Sequence, residues 1–594
     1  MNKPKASPRE KQPAAGTTRR WGSDVIVDML HRYELPYAAL NPGASYRGLH
    51  DSMVNYGGNK PYMMLCQHEE TAVQIAHGYA KASGKPMVAI VHNLVGLLHS
   101  NLAIYYAYID RAPVFIIGAT GPMDETKRRP RIDWTHTALV QGNAVRDYTK
   151  WDYQPTVVDG VPESFARAYS VMMTEPQGPI YMCYDAWLQE QPLEHDVPLP
   201  PKTSMQVPAP CAAEPAALAR AADLLAAAKR PVIMAEFAGR NPRAFTDLVT
   251  LAETVGAPVW DVNSRLNFPS NHPLNMSMVK DVFRDADLIL CLDVRDWERA
   301  TTELTSATRE RVAVEPADCT WIDIGFGDIE ISSWAMDYCR LKHAQLRILA
   351  DTTLAIPALT DLMRARISDN ASLRKLIEER TRKTAEKHKA ARAAWAKEAR
   401  EDWDASPISL PRLASEIWEA IKGEDWVLTA NTLEDWTRML WNFDKPYRHP
   451  GKSLGTSTQI GISLGVALAH RDAGRLVVDI QPDGDLMFDA GALWVAAKHK
   501  IPMLVVMYNN RAYYNDWEHQ IRMARLRGTP VERAHIGMDL DGPDVDFAGL
   551  AKSMGWYAEG PIEHGKDVGP ALKRAIARVK AGQPALLDTI TQKR

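Results

Sequence analysis

The segment QPDGDLMFDAGALWVAAKHKIPMLVVMYNN, from Gln481 to Asn510, carries hard oxygen donors at two separated points. Asp483 offers a carboxylate within the acidic, glycine-bearing turn Asp483-Gly484-Asp485. Asn510 offers an amide oxygen beside Asn509, at the end of an apolar run, and the backbone carbonyl of Ala512 can add a third ligand. Magnesium takes such oxygens in octahedral geometry and usually shares its shell with phosphate. Gly484 lets the backbone approach a diphosphate, and a helix starting near Asp489 would aim its N-terminus at the same anion. The plainer alternative is a βαβ unit whose turns happen to be polar. A third carboxylate stands far upstream in CQHEETAVQIAHGYAKASGKP, Cys66 to Pro86. Glu69 falls in the first turn of an amphipathic helix that follows the strand YMMLC and stops near Gly84. Burial raises a carboxyl's pKa, which suits a group that must hold and release a proton. Glu70 is its competitor.

Positioning these groups requires strands that end beside one another, and the chain has the pattern for it. Apolar strands alternate with helical segments in three blocks, the mark of parallel α/β sheets. PMVAIV and APVFIIGA serve the first block, RPVIMAEFAG, APVWDV and ADLILCLD the second, and RLVVDIQPDGD and IPMLVVMYNN the third. The expected fold is α/β, three doubly wound parallel-sheet domains, whose ligands bind beyond the carboxyl ends of the strands. Expected boundaries are a disordered tail over 1–20, a first domain over 21–194, a proline-rich linker over 195–215, a central Rossmann-like domain over 216–370, a helical linker over 371–405 and a last domain over 406–594. The charges of the helical linker are expected to form a solvated face.

The 594 residues suit two to four domains, and 46% hydrophobic with 24% charged residues is a globular balance. A formal charge of -3 gives no reason to expect a nucleic-acid partner. Six scattered cysteines without Cys-x-x-Cys spacing argue against a disulfide framework or a zinc cluster and fit a reducing cytoplasm. Arg19-Arg20 is not followed by the apolar region of an export signal, and no run approaches a membrane span. Neither G-x-G-x-x-G nor G-x-x-x-x-G-K-[ST] occurs, so an NAD-dependent dehydrogenase is a poor fit.

The spacing from Asp483 to Asn510 resembles the thiamine-diphosphate (ThDP) signature, in which GDG precedes a helix and a strand ending in NN. Pro482 departs from it by standing where the family has its first glycine, which removes a backbone N–H. The HEETAVQIAHGYAK segment resembles the family's H-E-x-x-A-x-x-x-A-x-G-Y-A-[RK], and GKSLGTSTQIGISLGVALAH (451–470) resembles its glycine-rich turn and helix, with Gly465 compatible. The three signatures occur in the order of the acetolactate synthase, benzoylformate decarboxylase and oxalyl-CoA decarboxylase branch. The resemblance implies pyrimidine-binding, central and diphosphate-binding domains, with ThDP and Mg²⁺ as cofactors. It implies Asp483, Asn510 and Ala512 as metal ligands and Gly484, Asp485 and Asn510 against the diphosphate. It implies Thr458 offering its carbonyl to the 4'-amino group and Ile460 propping the cofactor into its bent shape. It implies Glu69 hydrogen-bonded to the pyrimidine, favouring the tautomer that generates the C2 ylid. A homodimer, often a homotetramer, follows, because family members build the site from the pyrimidine domain of one chain and the diphosphate domain of its neighbour.

On the substrate side, NPGASYRGLHD resembles the first substrate loop, with Ala44 and Ser45 near the reacting carbon. His92 stands where benzoylformate decarboxylase has a catalytic histidine, with Asn93 and Leu94 in the same loop; a hydrogen-bonded structural histidine is the simpler reading. NNRAYYNDWEHQ is expected to arch over the thiazolium, making Tyr513, Tyr514, Trp517, Glu518 and His519 pocket candidates and Glu518 a candidate acid/base. Lys127, Arg128, Arg129 and Arg131 form either a solvated basic loop or an anion site for a CoA phosphate or carboxylate. NPGASYRGLHDS, RRPRIDWTHT, VRDYTKWD and YYNDWEHQ together look like bacterial 2-hydroxyacyl-CoA lyases. The implied reaction breaks or forms a C–C bond next to a carbonyl through ylid addition and an enamine, as a 2-hydroxyacyl-CoA lyase joining or parting a formyl-CoA and an aldehyde or ketone. The alternatives are a 2-oxo acid decarboxylase or acetolactate-synthase-like carboligase, and a non-catalytic ThDP-binding paralogue. The central block shows no clear flavin signature, which leaves ADP, CoA or FAD open there.

Overall fold

The computed structural model describes residues 15–593 except 17, 202, 204, 205, 331–333, 335–341, 430–432, 434 and 452–454. Most of the expected N-terminal tail, three positions of the proline-rich linker and part of the glycine-rich turn therefore lie outside the described residues. The chain forms two compact units, one reaching Pro208 and the other running from Ala209 onward and taking in Lys81–Gly84.

The first unit holds one six-stranded parallel sheet. Its strands are β1 (Tyr37–Leu40), β2 (Tyr62–Leu65), β3 (Met87–Ile90), β4 (Val114–Thr120), β5 (Trp151–Tyr153) and β6 (Ile180–Asp185), in spatial order β2-β1-β3-β4-β6-β5. β3, β4 and β6 are buried along their whole length, which is why they read as continuous apolar runs. The order reverses between β1 and β3, so the loops after these strands open at a topological switch point. Those loops are Asn41–Ser45 and Val91–Leu94, both singled out from sequence.

The second unit holds two parallel sheets. The first contains β7 (Pro231–Ala235), β8 (Val259–Asp261), β9 (Leu288–Leu292), β12 (Thr320–Gly325) and β13 (Leu346–Leu349), ordered β13-β12-β9-β7-β8. A small antiparallel ribbon, β10 (Thr302–Thr305) with β11 (Glu310–Ala313), is an addition the sequence pattern did not announce. Its side chains are largely exposed, so it carries no apolar signature. The second sheet contains β14 (Trp426–Leu428), β15 (Leu476–Pro482), β16 (Leu504–Asn509), β17 (Tyr557–Ile562) and β18 (Ala585–Ile590), ordered β14-β15-β16-β18-β17. The two sheets are tied together. Phe245 and Leu266 from the central block join the core around Trp426 and Trp441, and Ser270 Oγ donates to the Trp441 carbonyl at 2.8 Å. Each fully buried side chain of this size contributes about 1.5–3 kcal/mol, so the shared core is a substantial joint.

Two local expectations change. The helix expected to start near Asp489 begins at Asp483 and ends at Phe488, and a second starts at Ala492. Pro482 is the N-cap, so its missing N–H falls where a helix leaves donors unused, and Asp483 and Asp485 then sit in the favourable first turn. The charged linker forms the helix Ala371–Glu398, but its charges are not all solvated. Arg380 donates to the carbonyls of Ala228 and Val255, and Arg392 to those of Leu440 and Trp441. Their long stems reach past the helix surface and cap buried carbonyls.

Candidate cofactor and active site

In the second unit, β15 and β16 are neighbours in parallel register, with Pro482 opposite Tyr508. That register brings the chain leaving β15 at Asp483 alongside the chain leaving β16 at Asn509 and Asn510. Asp483 is 3% exposed. Its Oδ1 accepts from the Gly484 N–H at 2.9 Å, while its Oδ2 is buried without a hydrogen-bond partner. Burial pushes its pKa up to about 6, against the pull of backbone N–H groups at Gly484, Arg511 and Ala512. Asn510 is also buried, and its Oδ1 accepts from the Ala512 N–H at 3.0 Å. A buried carboxylate oxygen without a partner is costly, and a divalent cation would satisfy it. Among the described residues no cluster of three His, Cys, Asp or Glu side chains could hold a metal unaided. The donor set of one carboxylate, one amide and one carbonyl fits a hard cation that completes its shell with phosphate and water. A Cβ on Gly484 would fall 2.4 Å from the Tyr513 ring, so only glycine lets that ring close against the turn.

Asp485 does something other than face outward. Its Oδ1 accepts from Ser457 N–H at 2.7 Å, and its Oδ2 from Gln459 N–H at 3.3 Å and Gln481 Nε2 at 3.1 Å. It thereby grips the entry of the helix Gln459–His470, where Gly455, Thr456 and Ser457 all have positive φ. Three successive left-handed residues need external fixing, and the buried carboxylate supplies it. Ile460 is wholly buried, and the Thr458 carbonyl accepts from Ile462 N–H at 3.2 Å at the helix start. Beneath them Gln459 Nε2 donates to Asp479 Oδ1 at 2.9 Å. Asp479 escaped notice in the sequence, although a lone carboxylate inside the apolar run LVVDIQP was its signal.

The stretch expected to arch over the cofactor is mostly the helix Tyr514–Arg527. Glu518 pairs with Arg522 at 2.7 Å on that helix, an i,i+4 arrangement that occupies the candidate acid/base. Trp517 packs 5.5 Å from the Tyr514 ring and 5.9 Å from the His535 ring, with Lys593 Nζ 4.3 Å from its centroid. His519 is exposed.

In the first unit, Glu69 opens the helix Glu69–Ser83 and is 3% exposed. Its Oε2 lies 3.3 Å from His99 Nδ1. The short helix Val95–His99 presses on it, since a Cβ at Gly96 would come 2.6 Å from Glu69 Oε1. Glu70 is half-buried, with its N–H on His68 Nδ1 at 3.2 Å. The two switch-point loops also meet. Asn93 N–H donates to Ser45 Oγ at 3.1 Å, and Gly43 lies so close to His92 that a Cβ would overlap its ring. Leu94 takes the strained φ of 25°, and its N–H is held by Gln141 Oε1 at 2.9 Å. His92 is half-buried, 5.6 Å from the His136 ring, and burial lowers its pKa. Ala44 is exposed while Ser45 is buried. Ser45, Asn93 and His92 are thus gathered at one end of the sheet.

The basic loop is largely spoken for. Arg129 pairs with Asp133 at 2.8 Å, Arg128 donates to the carbonyls of Pro122 and Met123, and Lys127 lies 4.5 Å from the Trp187 ring centroid.

Three family profiles match the chain: the thiamine pyrophosphate enzyme N-terminal TPP binding domain over 20–143, the central domain over 218–364 and the C-terminal TPP binding domain over 432–589. The chain belongs to the thiamine-diphosphate-dependent enzymes. This ThDP enzyme is 24% identical to acetolactate synthase 2, chloroplastic, of Zea mays, an alignment covering 97% of this chain and 88% of the relative. It is 23% identical to benzoylformate decarboxylase of Pseudomonas aeruginosa, covering 89% and 92%. The crystal structure of benzoylformate decarboxylase from Polynucleobacter necessarius superposes with a TM-score of 0.73 at 18% identity, covering 97% of this chain and 99% of that one, which establishes the fold. The family is one of carboligases and decarboxylases that use ThDP. Among the described residues no helix is long and apolar enough to cross a membrane.

Proposed function

We propose that this ThDP enzyme binds its cofactor with Mg²⁺ through Asp483, Asn510 and the Ala512 carbonyl, and cleaves or forms a C–C bond next to a carbonyl. The observation that carries the reading is the buried, unpartnered Oδ2 of Asp483 beside Asn510 at two adjacent strand ends. When bound, ThDP supplies an electron sink for the carbanion left by C–C cleavage. The residues of this chain do the rest. Asp485 holds the Ser457–Gln459 entry in shape, Ile460 and the Thr458 carbonyl stand at the head of that helix, and Gly484, lacking a Cβ, lets the Tyr513 ring pack against the turn. Glu69 is the buried carboxyl that would hydrogen-bond the pyrimidine of the bound cofactor. His92, kept largely neutral by burial, accepts or returns a proton at its free ring nitrogen, while Ser45 and Asn93 orient the substrate carbonyl. A homodimer, or a homotetramer built from it, is the proposed working unit.

The substrate class we assign is a 2-hydroxyacyl-CoA, parted into an acyl-CoA fragment and an aldehyde or ketone. Its support is the combined resemblance of the 41–52, 128–137, 145–152 and 513–520 segments. A second reading, 2-oxo acid decarboxylation or carboligation, is favoured by the internal pairing of Arg128 and Arg129, which leaves those two arginines engaged by the chain itself. Turnover of a 2-hydroxyacyl-CoA, pyruvate and benzoylformate should be measured side by side. Release of formyl-CoA and an aldehyde or ketone from the 2-hydroxyacyl-CoA is the expected result, and exclusive release of CO₂ from a 2-oxo acid overturns the lyase assignment. Calorimetry of ThDP with Mg²⁺ tests the site itself. Asp483→Ala should weaken uptake by at least a hundredfold, and unchanged uptake refutes the ligand set.

A further inference from the structure

Glu69 is buried, yet an acid that works in repeated cycles must trade its proton with the outside. Among the described residues, one side chain hydrogen-bonds it: His99, whose Nδ1 lies 3.3 Å from Glu69 Oε2. The imidazole is 49% exposed while the carboxyl side chain is 4% exposed. The ring therefore spans the boundary between the buried acid and the surface. Two features fix its orientation. It stacks on His68 at 4.8 Å with an interplanar angle of 23°. His68 is itself held by the Glu70 N–H on its Nδ1 at 3.2 Å. The short helix that ends in His99 starts from the strained Leu94, which Gln141 anchors, and its Gly96 sets the approach to Glu69.

We propose that His99 is the proton relay of Glu69, carrying the carboxyl proton between the buried site and solvent. The inference rests on the reading of Glu69 as the activating acid. In the outward direction the Glu69 O–H bond breaks as an Nδ1–H bond forms on His99. The Nε2–H bond then breaks and delivers a proton to water, leaving a neutral imidazole and a carboxylate. The inward direction reverses these steps, and no other reactant is consumed. The ionisable groups that face the pair are Glu70 and His68 on the adjoining turn, Cys66, the Tyr46 hydroxyl, and His92 with His136 behind it. Burial and the nearby His99 both depress the pKa of His68.

The test uses the full chain with ThDP and Mg²⁺ and reads exchange of the cofactor C2 proton in D₂O by quenched NMR. His99→Asn should slow exchange at least tenfold and leave cofactor uptake within threefold. Added imidazole should restore a large part of the rate, which a merely structural role would not permit. Without cofactor, ¹⁵N NMR of the histidine side chains should show the His99 Nδ1 signal displaced in Glu69→Gln, because an amide replaces its carboxylate partner. Wild-type exchange in His99→Asn, absence of imidazole rescue, or an unmoved His99 Nδ1 signal overturns the relay. If His99→Asn fails to fold, His99→Gln takes its place in the exchange and rescue measurements. Glu69→Gln exchanging at the wild-type rate sinks the reading beneath it, whereas a dead Glu69→Gln with a full-speed His99→Asn sinks only the relay.

Discussion

Replacing Asp479 by asparagine should make the cofactor-free protein more stable at neutral pH. Asp479 lies inside β15, wholly shielded from solvent, and burial pushes its pKa up to about 7 from 3.8, with the charge of Asp485 adding to the rise. Its hydrogen bonds from Gln459 and Ser463 pull the other way without cancelling the desolvation. The folded state thus binds the proton more tightly than the unfolded state does. Stability from this group is fully present below pH 4, falls as pH rises from about 4 to about 7, and is level above that. A rise of roughly three pK units corresponds to about 4 kcal/mol, and local relaxation trims this to roughly 2–4 kcal/mol. Asparagine keeps an oxygen for Gln459 Nε2 and carries no charge, so it imitates the protonated acid at every pH. Denaturant unfolding followed by tryptophan fluorescence is the assay, since Trp426 and Trp441 lie in the core beside β15. The gap between Asp479→Asn and wild type should be near zero at pH 4 and reach its full size by pH 7. A variant that is no more stable at pH 7, or a gap equally large at pH 4, would refute the charge argument.

Gly96→Ala should displace Glu69, because the added methyl would lie 2.6 Å from its Oε1; turnover is expected to drop at least tenfold while circular dichroism stays unchanged. Asp485→Ala should release the Ser457 and Gln459 N–H groups and cost on the order of 1–3 kcal/mol, together with weaker ThDP uptake in calorimetry. Equal uptake would show that the helix entry needs no anchor. Arg380→Met should destabilise the second unit by about 1–3 kcal/mol in thermal unfolding, since two buried carbonyls lose their donor, and leave cofactor uptake intact.

Much of this protein was legible before any coordinates. The alternation of buried apolar strands with helices pointed to parallel sheets, because strands covered on both faces are apolar along their length, as β3 is. The paired signatures around Glu69 and Asp483 carried the family, since ThDP chemistry needs an acid and a metal ligand at set distances from strand and helix ends. Less legible were contacts that form only once the local backbone takes its folded shape. Glu518 read as a free carboxylate because its partner Arg522 becomes a neighbour only once the segment is helical. Arg128 and Arg129 read as an open basic loop because their acceptors are backbone carbonyls and Asp133, which no composition reveals.

Chain pattern alone determined the α/β class, the parallel sheets and the cofactor family, because periodicity and motif spacing are local properties that survive without a fold. Packing alone determined that Asp485 clamps a left-handed turn, that burial raises the pKa of Asp479, and that His99 touches Glu69. Each of these depends on burial and on side chains meeting across 26 to 30 residues or more, or on desolvation that exists only when the sheets close.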